Sequence, residues 1–176
     1  NPEGTVRKCS MISEQEILDV REPPGKAMGK VAELWKPIEG SSKLVCTACA
    51  RYCKLGEGQV GLCGIRGVHD GKLWLYVYGR VITGHVDPIE KKPVSHYRPG
   101  SKIFSIATTG CNWLCKYCQN ADISQRRKVE GIEVEPKDVV RMTLEQNCQG
   151  LAYTYNQPTI FIEFARDIGL LAKEAG

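Results

Sequence analysis

Three cysteines fall close together in the stretch TTGCNWLCKYCQN (108–120): Cys111, Cys115 and Cys118, spaced C-x3-C-x2-C. Thiolates are soft ligands suited to zinc and to iron–sulfur clusters. Structural zinc takes four protein ligands, so three thiols leave it one short unless a distant histidine completes the set. A cubane cluster has four irons, each needing an outside ligand. Three cysteines then leave one iron open to a substrate or cofactor, by the logic of a catalytic zinc. The bland alternative is three reduced thiols in a turn. Free buried cysteine is common, but seldom in threes at this spacing.

A second group, Cys46, Cys49, Cys53 and Cys63, has the spacing C-x2-C-x3-C-x9-C within LVCTACARYCKLGEGQVGLCGIRGVHDG (44–71). Gly56, Gly58, Gly61 and Gly64 suit tight turns about a metal. Two readings stand side by side. One is an auxiliary [4Fe–4S] cluster that passes electrons. The other is a zinc ion (Zn) that holds together a unit too small for its own core. Zinc ribbons usually present two C-x2-C pairs and this segment has one, which tilts the balance to iron–sulfur. Cys9 and Cys148 have no thiol nearby in sequence and read as unligated. His69, His85 and His96 read as ordinary structural residues, with His96 placed near the proposed site.

The 176 residues, 42% hydrophobic and 25% charged, fit one or two globular domains with a real core. No run of about 18 apolar residues is present, so no membrane span is expected. The start, NPEGTVRKCSM, shows no secretory core. Nine cysteines, an odd number, in a chain without a visible signal argue against a disulfide scaffold and for a reducing, cytoplasmic setting. The formal charge is +4, but three thiolates on a 2+ core contribute −1 and four contribute −2, which brings the loaded chain near +1. That argues against nucleic acid as a partner. The basic runs Lys91, Lys92 and Arg126, Arg127, Lys128 read as solvated surface.

The elements that must position these cysteines follow from pattern. Residues 1–43 form an N-terminal segment, polar to a boundary at REPPG, with a short helix expected over KAMGKVAELWKPI (26–38). Residues 44–100 form a four-cysteine metal-binding and β-strand region, with strands at KLWLYVYG and RVITGHVD and a proline-punctuated loop at 88–101. From 101 to 176 the order is strand, helix, strand, helix. KIFSIATTG is a nearly continuous apolar strand, as in a parallel sheet. PKDVVRMTLEQNCQG is a helix with Val140, Leu144 and Cys148 on one face, LAYTYN is a strand, and residues 158–176 are a helix with Phe161, Ala165, Ile168 and Ala172 inward. The fold class is α/β with a parallel sheet. The three-cysteine loop falls at the C-terminal end of its first strand, where such sheets place their chemistry.

C-x3-C-x2-C with an aromatic, Tyr117, before the last cysteine resembles the signature of the radical S-adenosylmethionine superfamily. PIEKKPVSHYRPGSKIFSIATTGCNWLCKYCQN, followed by YTYNQPTI and preceded by a cysteine-rich segment, resembles its activating-enzyme-like branch. These are homologues of pyruvate formate-lyase activating enzyme, in particular the radical enzyme of the AmmeMemoRadiSam system. The resemblance covers about residues 44–171.

It implies a partial (β/α)6 barrel of which this chain supplies the first two βα units. It implies a [4Fe–4S] cluster on Cys111, Cys115 and Cys118 whose open iron chelates S-adenosyl-L-methionine. Reductive cleavage of that cofactor to a 5′-deoxyadenosyl radical, and hydrogen abstraction from a protein or small-molecule substrate, follow from the same resemblance, as does a low-potential donor of ferredoxin or flavodoxin type. Tyr117 takes the aromatic's place near the adenine. The family's Gly-Gly-Glu-type motif, which receives the cofactor's ammonium, is matched only by Asn156 and Gln157, whose amide carbonyls can accept that hydrogen bond without a carboxylate's charge. A second reading of these two residues is a cap for the helix that begins at Pro158. Two strands make no closed barrel, so the chain reads as part of a longer protein or as completed by another chain, with an open strand edge favouring self-association. The competing reading of the whole chain is a zinc-organised nucleic-acid-binding module without radical chemistry.

Overall fold

The computed structural model describes residues 28–94 and 96–176. The boundary near residue 25 and Cys9 lie outside the described residues. In chain order the strands and helices are β1 (Lys30–Val31), β2 (Trp35–Pro37), β3 (Leu44–Cys46), β4 (Lys54–Leu55), β5 (Arg66–His69), β6 (Lys72–Leu75), β7 (Arg80–Val81), β8 (Thr83–Pro88), β9 (Lys102–Ala107), α1 (Ala121–Ser124), β10 (Ile132–Glu133), α2 (Pro136–Glu145), β11 (Leu151–Tyr153) and α3 (Ile162–Glu174). Short 3-10 turns occupy Ile89–Lys91 and Pro158–Phe161. The architecture is mixed α/β, with small sheets and none closed.

The helix expected over residues 26–38 is not formed in its described part. β1 instead pairs antiparallel with β6, Val31 opposite Trp74, and β2 pairs with β3, Trp35 opposite Cys46. Gly29 shows why the chain is extended here. It sits at φ 73°, and a Cβ on it would stand 2.1 Å from the carbonyl oxygen of Leu75. Short isolated helices are marginal, so close strand pairing wins over local propensity.

β9 and β11 are parallel neighbours, with Ser105 opposite Ala152. This pair is the expected strand–helix–strand unit. β8 lies antiparallel on the other edge of β9, with Asp87 opposite Ile103. The sheet therefore has three strands in the order β11–β9–β8, and β8 comes from the region before the three-cysteine loop. β9 is buried from Phe104 to Ala107, as a strand covered on both faces should be.

The helices are shorter than the sequence pattern predicts. α2 ends at Glu145 and Asn147 takes a left-handed φ of 53°. Its inward residues are Val139, Val140 and Thr143, while Leu144 is 56% exposed and Cys148 is buried beyond the helix end. The face expected through Val140, Leu144 and Cys148 is thus corrected. Thr143 fits the core because its hydroxyl donates to the Val139 carbonyl at 2.7 Å. In α3 and the turn before it, Phe161, Phe164, Ala165 and Ile168 are buried, with Ala172 half-buried. They join one contiguous core with Phe104 and Ile106 of β9 and with Leu44, Leu55, Ile65 and Leu73 of the cysteine-rich segment.

Candidate metal centres

Four thiols converge on one small cavity. Cys46, Cys49, Cys53 and Cys63 line it together, with Arg51 and Asn112 among its other walls. Local backbone explains the convergence. Cys46 closes β3 and its N–H donates to the Cys53 carbonyl at 2.9 Å, folding the C-x2-C-x3-C stretch into a knuckle. Gly61 N–H donates to Arg66 O, and Gly64 N–H to Gly61 O, which turns Cys63 back toward the others. Gly64 makes that turn at φ 80°. Burial pushes the Cys46 thiol up and the Cys63 thiol up to about 11, with Arg66 opposing from nearby. Metal binding at these thiols would have to displace their protons.

The three-cysteine loop follows β9 directly, at its C-terminal end. Cys111, Cys115 and Cys118 are all half-buried. Backbone contacts hold the loop in shape. Cys118 N–H donates to Cys115 O at 3.2 Å, and Gly110 N–H donates to Ile123 O at 3.3 Å. The Gln125 amide donates to Cys115 O at 2.8 Å, and Cys118 Sγ lies 3.3 Å from the buried Ser124 hydroxyl. Tyr117 is 92% exposed, and Trp113 and Leu114 beside it are exposed too.

Buried side-chain polar atoms normally find a protein or water partner. Among the described residues the exceptions are Ser105 Oγ, Thr109 Oγ1, Asn112 Oδ1 and Asn156 Oδ1. All four lie on β9, in the loop after it, or just beyond β11. Asn156 is the informative one. Its amide nitrogen donates to Thr108 O at 2.7 Å and to Gly110 O at 2.8 Å, so it ties the end of β11 to the residues leading into Cys111. Its carbonyl oxygen is left as a buried acceptor with no donor. Gln157 differs: its amide is engaged with the Thr159 hydroxyl. Neither residue acts as the expected cap, because Gln157 precedes the 3-10 turn without a side-chain capping bond and Asn156 reaches back to Thr108 and Gly110 in the loop after β9.

The two cysteine groups, separate in sequence, touch in space. Gly110 sits at φ 87°, and a Cβ there would stand 2.5 Å from the Cys63 carbonyl oxygen and 2.6 Å from Ile65 Cγ2. Only glycine lets the loop come this close. Arg51 Nε donates to Asn112 O at 3.1 Å and its guanidinium stacks 5.4 Å from the Trp113 ring. Arg127 donates to Gly61 O at 3.1 Å. Arg51 and Asn112 were not singled out by the spacing argument. Their signal was adjacency, since each lies next to or between the cysteines.

The basic runs are not merely solvated. Lys91 and Lys92 bond both oxygens of the buried Asp87 at 2.8 and 2.7 Å, and Tyr155 donates to it at 2.7 Å. Burial alone would raise the Asp87 carboxyl, but the two ammonium groups and the phenol hold it well below the usual carboxylate range. Arg126 pairs with the buried Glu130. His69 and His85 have structural partners, Glu57 and Thr83. Glu57, His69 and Asp70 bring ligand atoms within 4.8 Å of one another. Glu57 there accepts the backbone N–H groups of Asp70 and Gly71 at 2.9 and 3.0 Å, which makes it the clasp of a β5–β6 turn.

No helix among the described residues is long and apolar enough to cross a membrane. No family model matches the chain, and no solved structure matches it. A match of 39% identity over 137 residues joins it to the uncharacterized protein MJ0808 of Methanocaldococcus jannaschii. That match covers 77% of this chain and 41% of that protein, so the chain spans less than half the length of its relative.

Proposed function

We propose that the chain is the first part of a radical S-adenosylmethionine enzyme, with Cys111, Cys115 and Cys118 holding a [4Fe–4S] cluster and the barrel completed by segments beyond this sequence. The observation that carries the reading is the unpartnered, buried Asn156 carbonyl oxygen on the residue that fastens the three-cysteine loop. A cofactor bearing an ammonium group would supply its partner, because a charged donor satisfies such an acceptor strongly.

The donor set fits the group. Three half-buried thiols from one loop would hold three irons of a cubane and leave the fourth for the cofactor. When bound, the cluster supplies one electron to S-adenosylmethionine, whose cleavage gives a 5′-deoxyadenosyl radical able to take hydrogen from a protein or small-molecule substrate. This chain's residues do the positioning. Gly110 and Asn156 fix the loop on the sheet, Ser124 and Gln125 hold Cys118 and Cys115, and Asn156 Oδ1 receives the cofactor's ammonium. Tyr117, exposed on the loop, would cover the adenine in this reading. Gln157 donates through its amide nitrogen to the Thr159 hydroxyl, and its carbonyl oxygen would serve as a second acceptor for that ammonium.

Binding tests the assignment of Asn156. In the anaerobically reconstituted full-length protein, Asn156→Ala should weaken S-adenosylmethionine binding about tenfold or more, the size expected for a lost hydrogen bond to a charged group. Equilibrium titration followed by the change in the reduced cluster's EPR signal reads the affinity, and the melting temperature controls for the lost tie to Gly110. An unchanged affinity in a folded variant removes Asn156 from the cofactor site.

A further inference from the structure

The short stretch just beyond β11 reaches the three-cysteine loop at both ends. The parallel pairing of β11 with β9 continues to Thr154, whose N–H donates to the Ile106 carbonyl at 3.0 Å. The chain then turns at Tyr155. The Tyr155 carbonyl accepts from the side-chain amide of Asn120 at 3.2 Å, just after Cys118. Asn156 donates to Thr108 O at 2.7 Å and to Gly110 O at 2.8 Å, just ahead of Cys111. Consecutive residues therefore tie down the loop's entry and its exit.

The turn is strained. Tyr155 sits at φ 70°, in the left-handed region that a Cβ disfavours. Asp70 and Asn147 share this region, but their short polar side chains enter it readily, and a bulky aromatic does not. Such backbone persists only where its surroundings over-determine it. Here the side chain supplies the restraint. The Tyr155 hydroxyl donates to Asp87 at 2.7 Å, and Lys91 and Lys92 fix both oxygens of that carboxylate at 2.8 and 2.7 Å. The two ammonium groups stand 5.7 and 5.3 Å from the centre of the Tyr155 ring, and His85 meets the ring edge-on at 6.0 Å. Asp87 is buried on β8, at the far edge of the same sheet, so the ring is anchored across β9. Relaxing φ to the negative range would rotate everything beyond the Tyr155 N–Cα bond relative to β11. The Tyr155 carbonyl and the Asn156 side chain both lie beyond it, so both ties to the loop and the aim of Asn156 Oδ1 would be lost together.

We propose that Tyr155 is a positioning residue for the cofactor: Asp87, with Lys91 and Lys92, holds its ring and so its left-handed backbone, and that backbone aims Asn156 Oδ1 at the cofactor's ammonium. This rests on the reading of Asn156 given above. Tyr155 itself touches neither the cofactor nor the cysteines in this scheme. It acts through Asn156, and the strain it carries is what fixes that side chain in one orientation.

Substitutions at Tyr155 in the anaerobically reconstituted full-length protein test the proposal. The readout is S-adenosylmethionine affinity from the change in the reduced cluster's EPR signal, with iron content and the signal without cofactor as controls for an intact cluster. Tyr155→Leu keeps the Cβ but loses the restraint, and should weaken binding about tenfold, the size of the left-handed penalty for a residue with a Cβ. Tyr155→Gly loses the same ring but meets no such penalty, and should bind about threefold or more tighter than the leucine variant. A ring that merely packed would give the opposite order, since glycine leaves the larger gap and the looser chain. Unchanged affinity in Tyr155→Leu, or a glycine variant no tighter than it, overturns the proposal. Should the leucine variant fail to fold, Tyr155→Phe decides: losing the bond to Asp87 should weaken binding about threefold, and unchanged affinity overturns the proposal. The reading of Asn156 fails separately, on an Asn156→Ala variant that keeps its affinity. Weakened binding in that variant beside unchanged binding in Tyr155→Leu rejects the role of Tyr155 alone.

Discussion

Replacing Glu163 with alanine is expected to destabilise the protein by about 3–5 kcal/mol, the cost of stranding one partner of a buried ion pair. Glu163 is 3% exposed and Arg66 2%. Arg66 donates to both carboxylate oxygens, one at 2.9 Å, and its Nε donates to the Ile160 carbonyl at 2.7 Å. Arg66 also walls the four-cysteine cavity, so this pair fastens the cysteine-rich segment to the start of α3. More exposed pairs follow the same seam: Arg166 on Glu33 is worth little, and Lys30 on the part-buried Asp167 is worth less than the buried pair. Urea unfolding of the two proteins measures the loss. Exchanging both partners, Arg66→Met with Glu163→Leu, should cost much less than Glu163→Ala, because no charge is left buried and alone. A single-variant loss under about 1 kcal/mol contradicts the account.

The pH dependence has a definite sign. Burial alone would raise the Glu163 carboxyl, but the hydrogen bonds and charge of Arg66 hold it below the ordinary range. Asp167 follows the same pattern. Burial would raise it, yet Tyr78, Lys30 and Arg166 hold it down to about 2. A folded value below the unfolded one means the stabilisation is complete above the unfolded pKa, near 4 for carboxylates, and is lost as pH falls through the folded value. The unsubstituted protein should therefore lose stability from about pH 4 downward, and Glu163→Ala should lose less over the same range.

Replacing any one of Cys111, Cys115 or Cys118 with alanine is expected to remove the cluster from that loop and bring 5′-deoxyadenosine formation below detection. The loop is held by its own backbone bonds and by Gly110 and Asn156, so the fold should survive the loss. Cys148→Ala is the control. That thiol is buried beyond α2 and its Sγ reaches only the Gln146 carbonyl, at 3.8 Å, so iron content and activity should be kept. Iron analysis and product chromatography check both. A single loop variant that retains full iron and full product contradicts the ligand assignment.

The features carried by short-range pattern were legible in the sequence. The apolar run of β9 and the spacing of the cysteines set the loop at a strand end, and the parallel pairing with β11 follows from the strand–helix–strand order. Contacts set by the tertiary fold were not legible. Residues 30–37 have a composition that permits helix, and only β6 and β3, far along the chain, make them strands. Leu144 fits a helical stripe with Val140, yet the stripe that packs runs through Val139 and Thr143. Lys91 and Lys92 look like surface charge until the fold buries Asp87 beside them. The convergence of four cysteines was implied by their spacing. Their contact with the second group, through Gly110 and Arg51, was not, because no local rule relates residues 51 and 63 to residues 110 and 112.

On the proposed function, three thiols just after β9 prepare an iron for S-adenosylmethionine. The full-length protein, reconstituted without oxygen and reduced with dithionite in the presence of that cofactor, tests it most directly. Iron–sulfur absorption together with methionine and 5′-deoxyadenosine in equal amounts is the predicted result. A colourless, zinc-loaded protein that leaves the cofactor intact would contradict it.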